Sequence, residues 1–195
     1  YNQSFTIIRS EADFSNLPKD IADIAVRLIH ACGMIDILDD LEFSPDVAQS
    51  AKLALNKGAP ILCDARMVVE GIIRSRLPEN NDVFCWNSDP ECIKLAKKIG
   101  TTRSAAAVEF WRSKISGSIV AIGNAPTTLF RLLEILEEGI DPPAAIFGVP
   151  VGFVGATESK ELLKKKCRGR IPFLTVSGRR GGSAIAAAAV NALSN

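Results

Sequence analysis

The chain has 195 residues, 23 basic and 22 acidic, with a single histidine and a formal charge of +1. At 47% hydrophobic and 23% charged residues it is too apolar and too balanced for intrinsic disorder, and it lacks the basic excess of a general nucleic-acid binder. One domain over residues 1–195, burying roughly 70% of its unfolded surface, is expected, and one histidine excludes any metal site built on a histidine pair.

In chain order, the first clear element is a helix over 21–33 ended by Gly33. Ile21, Ala25, Leu28 and Cys32 share one side of it, while Asp20, Asp23, Arg27 and His30 form a stripe opposite at about 100° per residue. Apolar runs at 59–64, 82–86, 118–122, 144–147 and 171–175 are near-continuous rather than alternating, which suits parallel strands covered on both faces. Between them lie helical patterns. Ser88-Asp89-Pro90-Glu91 reads as a capping box for a helix that stops at Gly100, and Asn124 with Pro126 opens a helix that runs through 132–138 to Gly139. Residues 157–166 form another, whose Lys164-Lys165-Lys166 reads as a solvated helix end, and 182–192 an alanine-rich last one. Strands alternating with helices predict an α/β fold: a three-layer α/β/α sandwich, flavodoxin-like, with a doubly wound, mainly parallel five-stranded sheet.

Ligands of such sheets bind in the loops beyond the strand carboxyl ends. Gly148-Val-Pro150-Val-Gly152-Phe153-Val-Gly155 carries no charge and reads as an apolar wall for a large flat ligand, or as plain loop packing. Gly178-Arg179-Arg180-Gly181-Gly182-Ser183 follows a strand and opens a helix; its glycines admit close backbone approach, and a helix N-terminus offers N–H groups to an anion. It lacks the spacing of a P-loop or a dinucleotide fingerprint, and a tight turn with two solvated arginines is the alternative. With Arg27 and Arg103 these guanidiniums suit carboxylates. His30, one turn after Arg27, is either part of a solvated face or a general acid/base beside an anion-orienting arginine; histidine is the side chain whose ordinary titration falls near neutral pH. No Gly-x-Ser-x-Gly nucleophile accompanies it.

The five cysteines, odd in number and never in a Cys-x-x-Cys pair, read as buried free thiols of a reducing cytoplasm. The start of the chain shows no basic segment followed by an apolar run, and the apolar stretch 144–156 is broken by Pro150 and too short to span a bilayer. A cytoplasmic protein without a membrane partner is expected.

Arg27-Leu-Ile-His30-Ala-Cys-Gly-Met-Ile-Asp36 resembles the histidine segment of the precorrin-8X methylmutase family of cobalamin biosynthesis. Similar blocks are Ser4-Phe-Thr-Ile-Ile-Arg-Ser-Glu11, Cys63-Asp-Ala-Arg-Met-Val68, Thr102-Arg103-Ser104-Ala105, Gly123-Asn124-Ala-Pro-Thr127, Pro150-Val-Gly-Phe-Val-Gly-Ala-Thr-Glu-Ser-Lys160 and Gly178-Arg-Arg-Gly-Gly-Ser183. Their order and spacing, from Ser4 to the C-terminus, are more specific than any one block. One departure is Ile72-Ile73, where many relatives carry a threonine. The resemblance implies a homodimer with active sites at the subunit interface, and an isomerase moving a methyl group from C-11 to C-12 of a corrinoid macrocycle by a 1,5-sigmatropic shift. The product is hydrogenobyrinate, or cobyrinate when the tetrapyrrole substrate carries cobalt; no cofactor of the protein's own is implied. It makes His30 the proton donor or acceptor, Ser4 and Arg27 substrate-binding residues, and Arg103 part of the site. Asn124, Gly152, Phe153, Arg179, Arg180, Gly181 and Gly182 complete the expected substrate surface. The competing readings are a non-catalytic corrinoid carrier and a flavin or nucleotide binder on the same fold.

Overall fold

A computed structural model describes residues 2–194. The elements run α1 (Asn2–Glu11), α2 (Lys19–Cys32), a 3-10 helix (Ile35–Asp40), β1 (Leu41–Phe43), α3 (Val47–Leu55), β2 (Ile61–Cys63), α4 (Arg66–Gly71) and β3 (Val83–Phe84). They continue with α5 (Pro90–Ile99), α6 (Arg103–Ala107), β4 (Ile119–Ile122), α7 (Pro126–Glu137), β5 (Ala145–Gly148), α8 (Ala156–Cys167), β6 (Phe173–Val176) and α9 (Ser183–Leu193).

The strands form one mixed, mostly parallel sheet of order β1-β6-β5-β4-β2-β3. All five expected strands are present as its parallel part. The expectation of five strands is corrected to six: β1 lies antiparallel to β6, with Leu41 opposite Val176 and Phe43 opposite Leu174. Leu-Glu-Phe is too short and too mixed to read as a buried run, and its pairing comes from a partner far along the chain.

Successive residues of each strand feed two different cores. Ile61, Ile119, Ala121, Phe147, Leu174 and Val176 pack with α2, α3 and α9, whereas Leu62, Val120, Ile122, Ile146 and Phe173 pack with α7, α8 and Trp111. This burial on both faces is why the parallel strands are apolar at nearly every position, the buried Thr175 of β6 being satisfied by donating to Gly148 O. The rotation of α2 is set the same way. Ile21, Ile24, Leu28 and Ile29 are buried, at about 2 kcal/mol each, against less than about 1 kcal/mol for the half-exposed Arg9–Asp23 ion pair on its other side.

Several local expectations change. The capping box at Ser88 does not form; Asp89 is the N-cap of α5 and accepts from Glu91 N–H at 2.8 Å, with Pro90 at the first helical position. The N-cap of α7 is Ala125, not Asn124. Cys63, Cys92 and Cys167 are buried free thiols, but Cys32 and Cys85 are half-buried. Lys164 is no solvated helix end: it bridges Glu42 of β1 at 2.6 Å and Glu161 at 2.7 Å, and Ser177 Oγ donates to the same Glu42 carboxylate at 2.8 Å.

The Lys164 hydrogen bond holds the Glu42 carboxyl below its ordinary range. A depressed carboxyl contributes stability above the ordinary carboxylate range and loses it as pH falls through the lowered value. Glu42→Gln is therefore expected to cost about 1 kcal/mol at pH 7, since the side chain is 35% exposed and partly screened. Urea unfolding of parent and variant should converge below about pH 4. A difference that persisted in acid would mean that the charge contributes nothing. No helix of the described residues is long and apolar enough to cross a membrane.

Candidate functional site

The stripe on α2 is where the periodicity placed it: Ile21, Ala25 and Leu28 are buried, while Asp20, Asp23 and His30 are exposed and Arg27 is half-buried. α1 lies across this stripe. Its Phe5 ring meets His30 edge-to-face, centroids 5.4 Å apart, and the Arg27 guanidinium sits 5.3 Å from the same ring. Ser4 is the preceding residue of α1, half-buried. Arg9, one turn further along, pairs with Asp23 at 2.6 Å, so Asp23 is engaged with α1.

Arg27 and His30 line a cavity of about 200 Å³ whose other walls are Gly71, Ile73 and the α9 residues Ala184, Ala187 and Asn191. The buried Asn191 amide fastens this wall, donating to Gly71 O at 2.8 Å and accepting from Ile73 N–H at 2.9 Å. At the departure noted in the sequence, Ile72 is buried in the core while Ile73 forms the cavity wall.

A second cavity, about 350 Å³, adjoins the first: Ala31 and Ala184 face one, and their chain neighbours Cys32 and Ile185 face the other. Met34, Phe153 and Arg179 also line it. Phe153 is 83% exposed and the next residue, Val154, is 89% exposed. The Arg179 guanidinium lies 5.1 Å from the Phe153 ring. Arg180, expected as a ligand-facing cation, turns to the 3-10 helix and pairs with Asp36 and, at 3.8 Å, with Asp40. Its hydrogen bond holds Asp36 below the ordinary carboxyl range, while its buried Nη1 makes no hydrogen bond among the described residues.

The loops after β5 and β6 meet backbone to backbone. Gly182 N–H donates to Val149 O at 2.9 Å and Gly152 N–H to Arg179 O at 3.2 Å. A Cβ on Gly181 would stand 2.1 Å from Val149 O, so only glycine fits there.

Two buried ionisable residues were not singled out as site candidates in the sequence, although both lie within the quoted family blocks. Asp64, at the end of β2, is buried, and its carboxylate accepts from the N–H groups of Gly123 (3.0 Å), Asn124 (2.8 Å) and Ala125 (2.7 Å). Burial pushes its pKa up and the three N–H groups pull it back. The signal was a lone aspartate after a buried strand, opposite a helix start with no capping side chain. The other is Lys160 of α8, buried against the loop that carries Arg179; burial draws its pKa down to about 8.

The structure thus places Arg27 and His30 on one cavity, and Gly152, Phe153, Arg179, Arg180 and Gly181 on its neighbour, with Gly182 just before α9; Ser4 does not line either wall and sits on α1 beside the Phe5 that meets His30. Asn124 and Arg103 do not line these walls. Asn124 is exposed and is held through its backbone by Asp64. Arg103 is the exposed first residue of α6, behind the Thr102 cap that accepts from Ala105 N–H at 3.1 Å.

The precorrin-8X methylmutase family profile matches residues 1–195. A curated precorrin-8X methylmutase of Pseudomonas aeruginosa is 57% identical over 193 residues, covering 99% of this chain and 92% of that protein. A cobalt-precorrin-8 methylmutase of Leptospira interrogans is 38% identical over 199 residues, covering 98% and 90%. The crystal structure of a precorrin-8X methylmutase from Thermus thermophilus superposes with a TM-score of 0.89 at 34% identity, covering 98% of this chain and 92% of that one.

Proposed function

Because the chain belongs to the precorrin-8X methylmutase family, which makes it an intramolecular isomerase of cobalamin biosynthesis, we propose that it moves the C-11 methyl group of precorrin-8X to C-12, giving hydrogenobyrinate. The observation that carries this reading is the pair of adjoining cavities, one bearing His30 and Arg27, the other apolar and edged by Arg179. A corrinoid is a flat apolar ring surrounded by carboxylates, and this surface complements it.

In this reading His30 protonates a ring position of the bound macrocycle, favouring the tautomer from which the methyl group migrates, and takes the proton back afterwards. The methyl group moves within one molecule, so no nucleophile is needed. One positioned acid supplies about 10²–10⁴-fold, and the rest comes from holding the ring in a single reactive geometry. Arg27 and Arg179 engage carboxylates, Ser4 offers a hydroxyl from α1, and Gly152, Phe153, Gly181 and Gly182 supply the apolar and backbone surface. Arg103 and Asn124 are not assigned contacts within one copy. The exposed Phe153 and Val154 beside the cavity support a homodimer in which a second copy covers them. Numbered among themselves, the five parallel strands run 2-1-3-4-5, which supports a flavodoxin-like sheet within a single domain.

The metal-free substrate is favoured, since the Pseudomonas relative, named for that form, shares far more of this sequence than the cobalt-named one. Incubation with metal-free and with cobalt-bearing precursor tests both points through the product absorption spectrum. Catalytic conversion of the metal-free form is expected. Conversion of the cobalt form alone would reverse the substrate assignment. Tight binding of product without turnover of either precursor would replace the isomerase reading with a corrinoid carrier.

A further inference from the structure

A lysine ammonium is normally left in water or paired with a carboxylate, because burying it uncompensated is costly. Lys160 is 0% exposed, and its partners are two backbone carbonyls: Nζ donates to Gly178 O at 2.9 Å and to Arg180 O. No carboxylate of the described residues forms an ion pair with it; Asp40, further away, is the negative charge that favours its ammonium form. A methionine would fill this position of α8 without burying a charge, so packing alone does not account for the residue.

The two carbonyls straddle Arg179. The carbonyl between them, Arg179 O, accepts from Gly152 N–H at 3.2 Å. Three successive carbonyls of the loop are therefore tied down, two by one ammonium and one by the neighbouring loop. This matters because Gly178 (φ 72) and Gly182 (φ 136), at either end, are left-handed glycines with little intrinsic preference to hold the backbone between them. The segment so fixed presents Arg179 over Phe153 in the larger cavity and leads directly into Gly181, packed against Val149 O.

We propose that Lys160 is a positioning residue for substrate recognition: its ammonium clamps the 178–180 backbone so that Arg179 meets a carboxylate of the macrocycle. The proposal rests on the reading of the larger cavity as part of the corrinoid site, and it adds to that reading a buried cation which itself touches no substrate. A preset guanidinium loses less entropy on binding than one carried by a loose loop, so the effect falls on affinity.

The test is a double-mutant cycle read by absorbance titration with hydrogenobyrinate, together with turnover of precursor at saturation. Lys160→Met, Arg179→Ala and the double variant are compared with the parent, and their folds are checked by circular dichroism. Lys160→Met is expected to weaken product binding roughly tenfold, with turnover at saturation changed less than about threefold. The double variant should bind no more weakly than the weaker single, because the clamp acts through Arg179. Lys160→Gln, which keeps a donor for the carbonyls, should recover part of the loss. If Lys160→Met binds like the parent, or if the two losses multiply in the double variant, the clamp is overturned. If Lys160→Met does not fold, Lys160→Gln with Arg179→Ala carries the same comparison, and multiplying losses again overturn it. If Arg179→Ala itself binds product like the parent, it is the carboxylate reading of the cavity that fails.

Discussion

His30→Ala should bind hydrogenobyrinate about as tightly as the parent, yet turn over precursor about 10²–10⁴-fold more slowly. The substitution removes the ring that the proposed proton transfer needs. It leaves Arg27, the apolar wall and Arg179 in place. Its structural cost is small, because His30 is exposed, and the edge-to-face contact with Phe5 that it gives up is worth about 1 kcal/mol. Stopped assays with precursor measure the rate, and absorbance titration measures product binding. Turnover within threefold of the parent would remove His30 from the chemistry. A parallel loss of product affinity would instead make it a binding residue. The pH profile of the parent, set beside that of the variant, separates proton transfer from positioning: only an acid/base role gives a limb that disappears with the imidazole.

Asp64→Asn is expected to be the most damaging of the conservative changes, lowering stability by about 3 kcal/mol and the melting temperature by roughly 6–10 °C. The substitution is nearly isosteric, but an amide has one oxygen where the carboxylate has two. Both Asp64 oxygens are used: Oδ1 by Gly123 N–H, and Oδ2 by the N–H groups of Asn124 and Ala125. Either orientation of the asparagine points an NH₂ group at a backbone N–H in a buried site, leaving a donor without an acceptor. The harm should spread to the site, since a Cβ on Gly123 would stand only 2.6 Å from Ser183 Cα and the same turn supports the start of α9. Urea and thermal unfolding measure the first effect. A loss below about 1 kcal/mol would mean that water replaces the carboxylate and that the turn holds itself.

What the sequence made legible, and what it hid, follows from the size and kind of each contact. The parallel strands and α2 were readable because each buries its own apolar residues in a periodic pattern. β1 was not, because three residues with a glutamate at the centre are a strand only by virtue of β6. α1 has no buried residue, so no apolar stripe announces it. α3 buries Val47, Ala48, Ala51, Ala54 and Leu55 at helical spacing, but three of the five are alanines that read as neutral filler. In the site, His30 and Arg27 stood out as polar residues opposite an apolar face. Lys160 was hidden by company: α8 reads ATESKELLKKKC, and nothing local separates its buried lysine from the three that follow. Arg103, grouped with the other arginines by its charge, and Asn124, at a helix start, are both exposed and away from the two cavities of this chain.

The cavity around His30 also has a temporal side. One wall comes from α2, early in the chain, and the opposite wall from α9, very late in it. Neither helix can build half a site, so as the polypeptide leaves the ribosome the His30 imidazole waits for its opposite wall until α9 has been made. Until α9 docks, Ile21, Leu28 and Ile29 present an apolar face to the cell. The fold therefore trades early completion for a site that exists only once α9 has docked, and fragments released before that point offer chaperones and proteases a sticky helix instead of a partial activity.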